Sequence, residues 1–418
     1  MLDLLLTEEQ KALREEVRDL VKWVPRQMIL DMDREVIRFN KEFLREAGRR
    51  NLLGVHLPRK WGGRDQDWPT LCMVVEEIGT LGYAFGCLYG VGGCLVCFAI
   101  VEHGTDEQKA KYVKPLLAGD IYAAECLTEP RGGGGSDFFG TTTTAVDQGD
   151  HFLVNGQKRF IVGAEGADYF MVYARTSFDP DVPSHKALTC FLIDRGPGVE
   201  VEYIYGLMGL RGCGTGRLVF KDAKVPKENV LGEINGGKAI FDTIMIPERL
   251  GSAVMCIGPA RTALEVATGY TSRRKAFGQT INNFQGVSFQ VAEAATLLDA
   301  ARAITLMAAQ AAEKSSHPRQ ARRMISEAKR FSTEACMKVV NHAFQVMGGI
   351  GYTNVFPIER IYRDIRLGPI WTGSNEVMSM IVAHEWYTEY LSRKALGRDR
   401  DYEGDAAEAE AVDEKIYE

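Results

Sequence analysis

The chain has 418 residues, of which 45% are hydrophobic and 25% are charged, and its formal net charge is −6. This length exceeds what one compact core holds and predicts two or three packed subdomains. The mild acidity argues against nucleic acid and against membrane surfaces as partners. We expect no apolar run of the roughly 20 residues that a membrane-spanning helix needs. The first residues, MLDLLLTEEQ, lack the basic start of a secretory signal, so the sequence predicts a cytoplasmic protein without membrane insertion.

Nine cysteines are scattered through apolar sequence, which is typical of reduced core residues. Cys94 and Cys97 form a CxxC pair inside GCLVCFAI, a spacing that also occurs in redox pairs and in metal sites. Because the segment has an apolar, helical pattern and no second pair follows, the sequence favours two buried core cysteines and predicts no metal site.

Residues 1–120 predict an N-terminal helical domain. Thr7 stands where a helix cap is expected, ahead of an amphipathic run that contains Leu13, Val17 and Leu20. Further helices are expected at 38–49, 69–82, 85–103 and 106–117.

Residues 121–236 contain short runs rich in β-branched and aromatic residues, separated by glycine, proline, aspartate and asparagine. This is the pattern of a small antiparallel barrel or sandwich, and it predicts a central β domain. The predicted strands are 151–154, 169–174, 188–193, 199–205 and 217–220.

Residues 237–395 return to helical periodicity, and their lengths and apolar stripes predict an antiparallel four-helix bundle. Gly258 and Pro259 are expected to kink the first helix. Residues 396–418 are acidic and small, and they predict a tail that is either solvated or draped over a partner. The predicted helices of the bundle are 237–275, 285–315, 318–347 and 375–392.

The stretch from Gln345 to Val377 has the features of a ligand site. Its first part, QVMGGIGY, closes a helix with glycines, which let the backbone approach a ligand closely. A short helix is expected at 357–366. The turn IWTGSNE then enters a new helix, and it is expected to direct Ser374, Asn375 and their backbone N–H groups towards a ligand. The alternative is a glycine-hinged helical hairpin that holds no ligand.

A glycine-rich loop in the β-rich region, CLTEPRGGGGSD at 126–137, has a similar character. Its glycines expose N–H groups, and Thr128 and Ser136 add hydroxyls suited to carbonyl or phosphate oxygens. A flexible hairpin is the alternative for this loop taken alone. Two further segments are NGQKRFIVGA at 155–164 and RKAFG at 274–278, the latter followed by Gln285.

In their order and spacing, these segments resemble the acyl-CoA dehydrogenase flavoprotein family, and the resemblance covers residues 5–395. It implies an α+β fold with an N-terminal helical domain, a central β-barrel or sandwich domain and a C-terminal four-helix bundle. It also implies FAD lodged between the β domain and the bundle, and assembly as a homotetramer.

The resemblance further implies which residues hold FAD, with Phe160 beside the flavin ring and Arg274 reaching the pyrophosphate across a subunit interface. The chain departs from the family at two positions. Five residues separate Pro130 from Ser136, where the family has three, and Val162 stands where the family places a hydroxyl that bonds flavin N5. The implied FAD residues are Cys126, Leu127, Thr128, Ser136, Phe160, Ile161, Val162, Arg274, Phe277, Gln285, Gln345, Gly348, Gly349, Ser374 and Glu376.

The implied reaction is α,β-dehydrogenation of an acyl-CoA thioester. A thioester α-proton is weakly acidic, so the site must hold a base against it and stabilise the enolate oxygen. By resemblance, the thioester carbonyl lies between a flavin ribityl hydroxyl and the backbone N–H of Thr372. The β-hydrogen then leaves as hydride to flavin N5, and electron-transfer flavoprotein reoxidises the flavin.

The catalytic base is where the chain departs most from its family. Most members carry a glutamate before the glycine of the last turn, but here Thr372 precedes Gly373. Isovaleryl-CoA and long-chain acyl-CoA dehydrogenases place the glutamate before a helix arginine, and Glu248 and Arg249 match that pattern. We therefore expect Glu248 as base, with Arg249 and Gly373 binding a branched, cyclic or aryl-substituted substrate. The alternative is a solvated carboxylate at a helix start.

Two other classes of function stay open at this point. The first is a flavoenzyme of the same fold with other chemistry: an acyl-CoA oxidase, a nitroalkane oxidase or a flavin-dependent monooxygenase. The second is a non-catalytic flavin-binding relative that works as an interaction or nucleic-acid protein. The missing common glutamate favours this class. The absence of a concentrated basic run argues against a nucleic-acid protein.

Overall fold

The computed structural model describes residues 6–130, 137–315 and 318–397. Helices form both ends of this chain and a sheet forms its middle, so the protein is α+β, as predicted. The N-terminal helices are α1 Glu8–Trp23, α2 Arg26–Asp33, α3 Lys41–Arg49, α4 Trp68–Gly79, α5 Tyr83–Tyr89, α6 Cys97–His103, α7 Asp106–Gln108 and α8 Lys114–Leu117.

The first helix begins where the sequence predicts. The Thr7 hydroxyl accepts a hydrogen bond from the Gln10 N–H at 3.2 Å, and the Gln10 side chain accepts one from the Thr7 N–H at 3.0 Å. This reciprocal capping box satisfies two N–H groups that the helix itself leaves unpaired. The buried face of α1 includes the predicted Leu13, Val17 and Leu20.

A π-helical segment, Gly90–Val96, joins α5 to α6, so Tyr83–His103 is one continuous helix of 21 residues. By length and composition it could cross a membrane, so the expectation that no apolar run reaches this length was wrong. Its most apolar window is 83% buried inside the protein, which identifies it as a core helix. Cys94 and Cys97 lie within it and are buried and free, as predicted.

The strands of the β domain form one sheet in the order β6-β7-β3-β2-β4-β5-β8, with β1 also beside β4. We expected purely antiparallel pairing, but β1 and β2 both run parallel to β4. The chain enters the sheet at β1 directly from the helical domain, so no hairpin turn reverses its direction there. The strands are β1 Ala123–Cys126, β2 Thr144–Asp147, β3 His151–Ile161, β4 Tyr169–Arg175, β5 Leu188–Asp194, β6 Val199–Ile204, β7 Gly216–Pro226 and β8 Val230–Leu231.

Strand β4 is buried on both faces, which explains its continuous apolar sequence YFMVYA. Side chains alternate along a strand. Tyr169, Met171 and Tyr173 therefore pack into the main core, which also contains residues of the helical domains. Phe170 and Val172 pack into a second core that is confined to the β domain. The sheet thus presents one face of β4 and β5 to the helices around the cavity described below.

The C-terminal helices confirm the predicted bundle. They are α9 Gly237–Thr271, α10 Gln285–Lys314, α11 Pro318–Met347, α12 Ile358–Ile365 and α13 Asn375–Ala395. Helix α11 packs against α9, α10 and α13. Helix α9 ends at Thr271, short of the predicted 275, because the chain turns there into a small hairpin of β9 Lys275–Ala276 and β10 Gln279–Thr280.

The bundle is fixed to α4 by close backbone packing and by buried charges. A Cβ at Gly258 of α9 would lie 2.4 Å from the Glu76 carbonyl oxygen, so a larger residue there would separate the two helices. Arg261 contacts Glu76 at 2.9 Å and Glu77 at 2.7 Å, and Arg302 contacts Glu76 at 2.8 Å. Because these carboxylates are buried and paired, removing one partner would leave a costly unpaired charge. This junction holds α9 in place beside the cavity.

Candidate active site

A cavity of about 750 Å³ lies between the sheet, the π-helical segment, α9 and the turn before α13. Its volume falls within the ~300–1,000 Å³ typical of ligand sites. Gly90, Val91, Cys94 and Leu95 of the π-helical segment form part of its wall. Such segments are frequent at functional sites because the wider turn displaces side chains from regular helical positions.

Glu248 lies in this cavity on α9, one residue after Pro247. It is inside the helix and half-buried, so the alternative of a solvated carboxylate at a helix start does not hold. Its Oε2 is buried and has no hydrogen-bond partner in the part of the chain that the structure describes. Burial raises the pKa of Glu248 from 4.5 to about 7, although the charges of Arg249 and Lys329 oppose this change. A carboxyl with a pKa near neutrality is suited to exchange a proton.

The turn before α13 holds Thr372 in a left-handed backbone conformation. Its φ is +55° and that of Gly373 is +80°. A β-branched residue rarely adopts this conformation, at a cost of the order of 1–3 kcal/mol, and such strain is concentrated at functional sites. The Thr372 hydroxyl is buried and unpartnered, and no hydrogen bond among the described residues engages its backbone N–H. Thr372, Gly373 and Ser374 all line the cavity.

A lysine that the sequence analysis did not identify anchors this turn. Lys329 of α11 is fully buried and donates hydrogen bonds to the Gly373 carbonyl at 2.8 Å and to the Asn375 side-chain oxygen at 2.9 Å. Burial lowers the pKa of Lys329 from 10.5 to about 8. The only sequence signal was a lysine on the otherwise buried face of an amphipathic helix, which by itself does not identify a partner.

Phe160 reaches the cavity through a β-bulge. The pairing of β3 with β7 shifts between Lys158 and Ile161, and Phe160 has a φ of +57°. A bulge inserts an extra residue and re-aims its side chain, which leaves the Phe160 ring 51% exposed and on the cavity wall. Ile161 and Val162 also line the cavity.

The loop after β1 contributes Leu127 and Thr128 to the cavity wall, whereas the Cys126 side chain is buried in the second core. Ser136 lies outside the described residues. The loop is anchored by an ion pair between Glu129 and Lys158 at 2.9 Å, both almost completely buried, which the sequence analysis missed. Lys158 also donates a hydrogen bond to the Leu127 carbonyl at 3.1 Å.

The remaining predicted FAD residues do not line this cavity. Glu376 is exposed at the start of α13, where a hydrogen bond from Ser374 lowers its pKa. Phe277 and Gly278 form the two-residue tip of the β9–β10 hairpin, both with positive φ, and Phe277 is 96% exposed. The other residues of this group are exposed on the surface of the chain, namely Arg274, Gln285, Gln345, Gly348 and Gly349.

A second carboxyl, Glu125 of β1, shares the cavity with Glu248 and was also missed. Burial raises its pKa well above the ordinary value, the charge of Glu248 raises it further, and the charge of Lys158 opposes both. The sequence signal was a single acidic residue between apolar neighbours in AAEC, a segment for which the sequence analysis predicted no strand.

The chemistry of the wall fits a flavin. The cavity contains aromatic faces, hydroxyl groups and buried polar atoms without partners, which suit a flat ring with polar edges. Within the described ranges, these unpartnered atoms include the Thr215 hydroxyl and Nε of Arg249. Among the described residues, no group of three or more His, Cys, Asp or Glu side chains could hold a metal ion.

Comparison with known families covers nearly the whole chain. Residues 7–120 match the acyl-CoA dehydrogenase N-terminal domain, 124–223 the middle domain and 235–386 the C-terminal domain. The chain is 33% identical to the 3-(aryl)acrylate reductase of Clostridium sporogenes, over 91% of this chain and 99% of that protein. It is 34% identical to a subunit of the caffeyl-CoA reductase–Etf complex of Acetobacterium woodii, over 90% of this chain and 98% of the subunit.

A solved structure agrees with these sequence relationships. The crystal structure of acyl-CoA dehydrogenase from Geobacillus kaustophilus superposes with a TM-score of 0.85 at 31% identity, covering 91% of this chain and 98% of that one. The resemblance and the fold expected from the sequence are thereby confirmed. The chain belongs to the acyl-CoA dehydrogenase family, and it is an FAD-dependent oxidoreductase that acts on acyl-CoA thioesters.

Proposed function

We propose that Glu248 is the base that removes the substrate α-proton in this acyl-CoA dehydrogenase. The observation that carries the proposal is a carboxyl with a pKa of about 7 in the same cavity as a turn where Thr372 offers no basic group. A base needs a pKa near the working pH and a position within reach of the proton. Glu125 shares the cavity, but burial and the charge of Glu248 raise its pKa well above the ordinary value and so favour the protonated form, which is unsuited to accept a proton.

The Thr372 backbone N–H is proposed to stabilise the enolate oxygen that forms as the α-proton leaves. An N–H fixed before the reaction stabilises developing charge without reorganisation at the moment of transfer. The bonds from Lys329 to the Gly373 carbonyl and the Asn375 side chain support this role, because these two buried hydrogen bonds fix the turn. Arg249 and Gly373, which line the same cavity, are proposed to bind the thioester and its CoA portion.

When bound, FAD would supply the acceptor for the β-hydrogen. We propose that Leu127, Thr128, Phe160, Ile161, Val162 and Ser374 hold it from within one subunit, together with the backbone at Cys126 and with Ser136 and Glu376. A neighbouring subunit of a homotetramer would supply Arg274, Phe277, Gln285, Gln345, Gly348 and Gly349. The exposure of this second group supports contact in trans, since a phenylalanine at 96% exposure on a hairpin tip is typical of an interface anchor.

Among branched, cyclic and aryl-substituted acyl groups, we propose that the substrate carries an aryl group. Phe138 and Phe241 stack in the cavity with ring centroids 4.1 Å apart, an apolar surface that suits a further ring. The two relatives described above are named for aryl-acrylate and caffeyl-CoA reduction. The name of the second also supports electron-transfer flavoprotein as redox partner. We further propose a cytoplasmic location and domain boundaries near residues 120, 236 and 395.

The experiment that tests this function is anaerobic titration of the purified yellow protein with straight-chain, branched and aryl-substituted acyl-CoA thioesters. Loss of flavin absorbance with a thioester, followed by rapid reoxidation by electron-transfer flavoprotein and slow reoxidation by air, is the expected result. Fast reoxidation by air would instead identify an oxidase. If no thioester reduces the flavin, the proposed dehydrogenation is wrong.

A further inference from the structure

Glu125 occupies a position that the proposed chemistry leaves without a role. Along β1, Ala124 and Cys126 point into the second core of the β domain, and Glu125 points to the opposite side and lines the cavity. Its Oε1 is buried and has no hydrogen-bond partner among the described residues. A buried polar atom without a partner is costly, so a group that enters the cavity is expected to satisfy it.

The charged and titratable groups around Glu125 come from four other elements and from its neighbour Cys126 on β1. Lys158 of β3, Glu248 of α9, Tyr173 of β4 and Cys190 of β5 all interact with it electrostatically. Lys158 is the only cation in this set, and its ammonium group already pairs with Glu129 at 2.9 Å. Since Glu125 is left beside a second carboxyl, burial and this repulsion raise its pKa well above the ordinary value and favour its neutral form. A neutral carboxyl can both donate and accept a hydrogen bond.

Glu125 lies near the aromatic part of the cavity, and Tyr173 connects the two. Tyr173, whose pKa responds to the charge of Glu125, packs edge-on against Phe138 with ring centroids 5.0 Å apart. Phe138 in turn stacks on Phe241, and both phenylalanines line the cavity with Glu125. A ring that packs against this aromatic pair therefore lies in the neighbourhood of an unpartnered carboxyl.

We propose that Glu125 determines specificity by forming a hydrogen bond with a hydroxyl group on the acyl portion of the substrate, so that the preferred substrates are hydroxylated aryl-acyl-CoA thioesters. This inference rests on the proposed function, because it assumes that the cavity takes the acyl group. An apolar wall binds the ring with little selectivity, whereas a buried group that needs a partner rejects an analogue without the hydroxyl. Glu125 is thus a residue for substrate selection, separate from proton removal by Glu248.

The test compares 3-phenylpropionyl-CoA with its 3- and 4-hydroxyphenyl analogues in the wild-type holoenzyme and in Glu125→Leu. Two quantities are measured for each: the dissociation constant by calorimetry and the kcat/KM for flavin-linked turnover. The wild type is expected to prefer at least one hydroxylated thioester by about tenfold or more. Glu125→Leu is expected to lose that preference, mainly through a higher KM for the hydroxylated thioesters. Asp147→Asn, a carboxylate-to-amide change on the solvent side of the same sheet, should retain the preference.

The proposal is overturned if Glu125→Leu discriminates between the thioesters as the wild type does. It is also overturned if the variant binds and turns over all thioesters equally poorly, or alters flavin absorbance in their absence, since Glu125 would then act on the base or the flavin. Glu125→Gln, which keeps a hydrogen-bonding group of the same size, should retain part of the preference and covers the case in which Glu125→Leu does not fold. Failure of the proposed function is distinguishable, because flavin reduction would then be missing in the wild type while calorimetry still measures the hydroxyl preference.

Discussion

Glu248→Gln should stabilise the protein at alkaline pH, although it removes a carboxylate that we assign to catalysis. Folding raises the pKa of Glu248 from 4.5 to about 7 because burial disfavours the charged form. The contribution of the neutral Glu248 carboxyl to the free energy of unfolding is fully present below pH 4.5, and it is lost as the pH rises through 7. Each unit of pKa difference corresponds to about 1.4 kcal/mol, so the ionised carboxylate destabilises the fold by on the order of 3 kcal/mol.

Urea unfolding at about pH 4, 6 and 9, in saturating FAD, measures this effect. The free energy of unfolding of Glu248→Gln should match the wild type at the lowest pH and exceed it increasingly above pH 5. Glu376→Gln is the matched control, because Glu376 is exposed and its pKa is lowered by the hydrogen bond from Ser374, so its replacement should give no alkaline gain. A pH-independent difference, or the same gain in both variants, would show that Glu248 is not a buried carboxyl with a raised pKa.

Three further predictions concern the turn and the subunit contact. Lys329→Met should slow flavin reduction and lower the free energy of unfolding by about 1–3 kcal/mol, because the Gly373 carbonyl and Asn375 lose their buried donor. A wild-type rate of flavin reduction in stopped flow would contradict this prediction. Thr372→Gly should raise the free energy of urea unfolding by about 1 kcal/mol by relieving a φ of +55°, and a clear loss of stability would contradict it. Arg274→Ala should weaken FAD retention, measured by absorbance after gel filtration; a stable monomer with full FAD occupancy would refute contact in trans.

Much of the fold was predictable because the signals were long and periodic. The 30-residue helices α10 and α11 begin and end within about a residue of the predicted bounds, since glycine, proline and apolar stripes mark both their ends and their buried faces. Short elements were less predictable. Helix α2, Arg26–Asp33, has only two turns and buries only Met28 and Met32, which is too little pattern to separate it from a loop.

The candidate site was partly predictable for a related reason. Glu248 and the turn at Thr372 stand in motifs that a family resemblance identifies. Lys329 and Glu125 stand in none, and their importance comes from what lies opposite them in space: a carbonyl of a strained turn in one case and a second carboxyl in the other. Local sequence encodes the burial of such residues but not the partner, because the partner belongs to a distant element.

The rate constant for anaerobic flavin reduction in Glu248→Gln tests the central claim most directly. The wild type and the variant are mixed in stopped flow with the thioester that reduces the wild type fastest, and thioester binding is measured in parallel. General-base catalysis typically contributes ~10²–10⁴-fold, and we expect a loss at the upper end of that range or beyond, with binding retained. A variant that reduces its flavin at the wild-type rate would show that another group removes the α-proton.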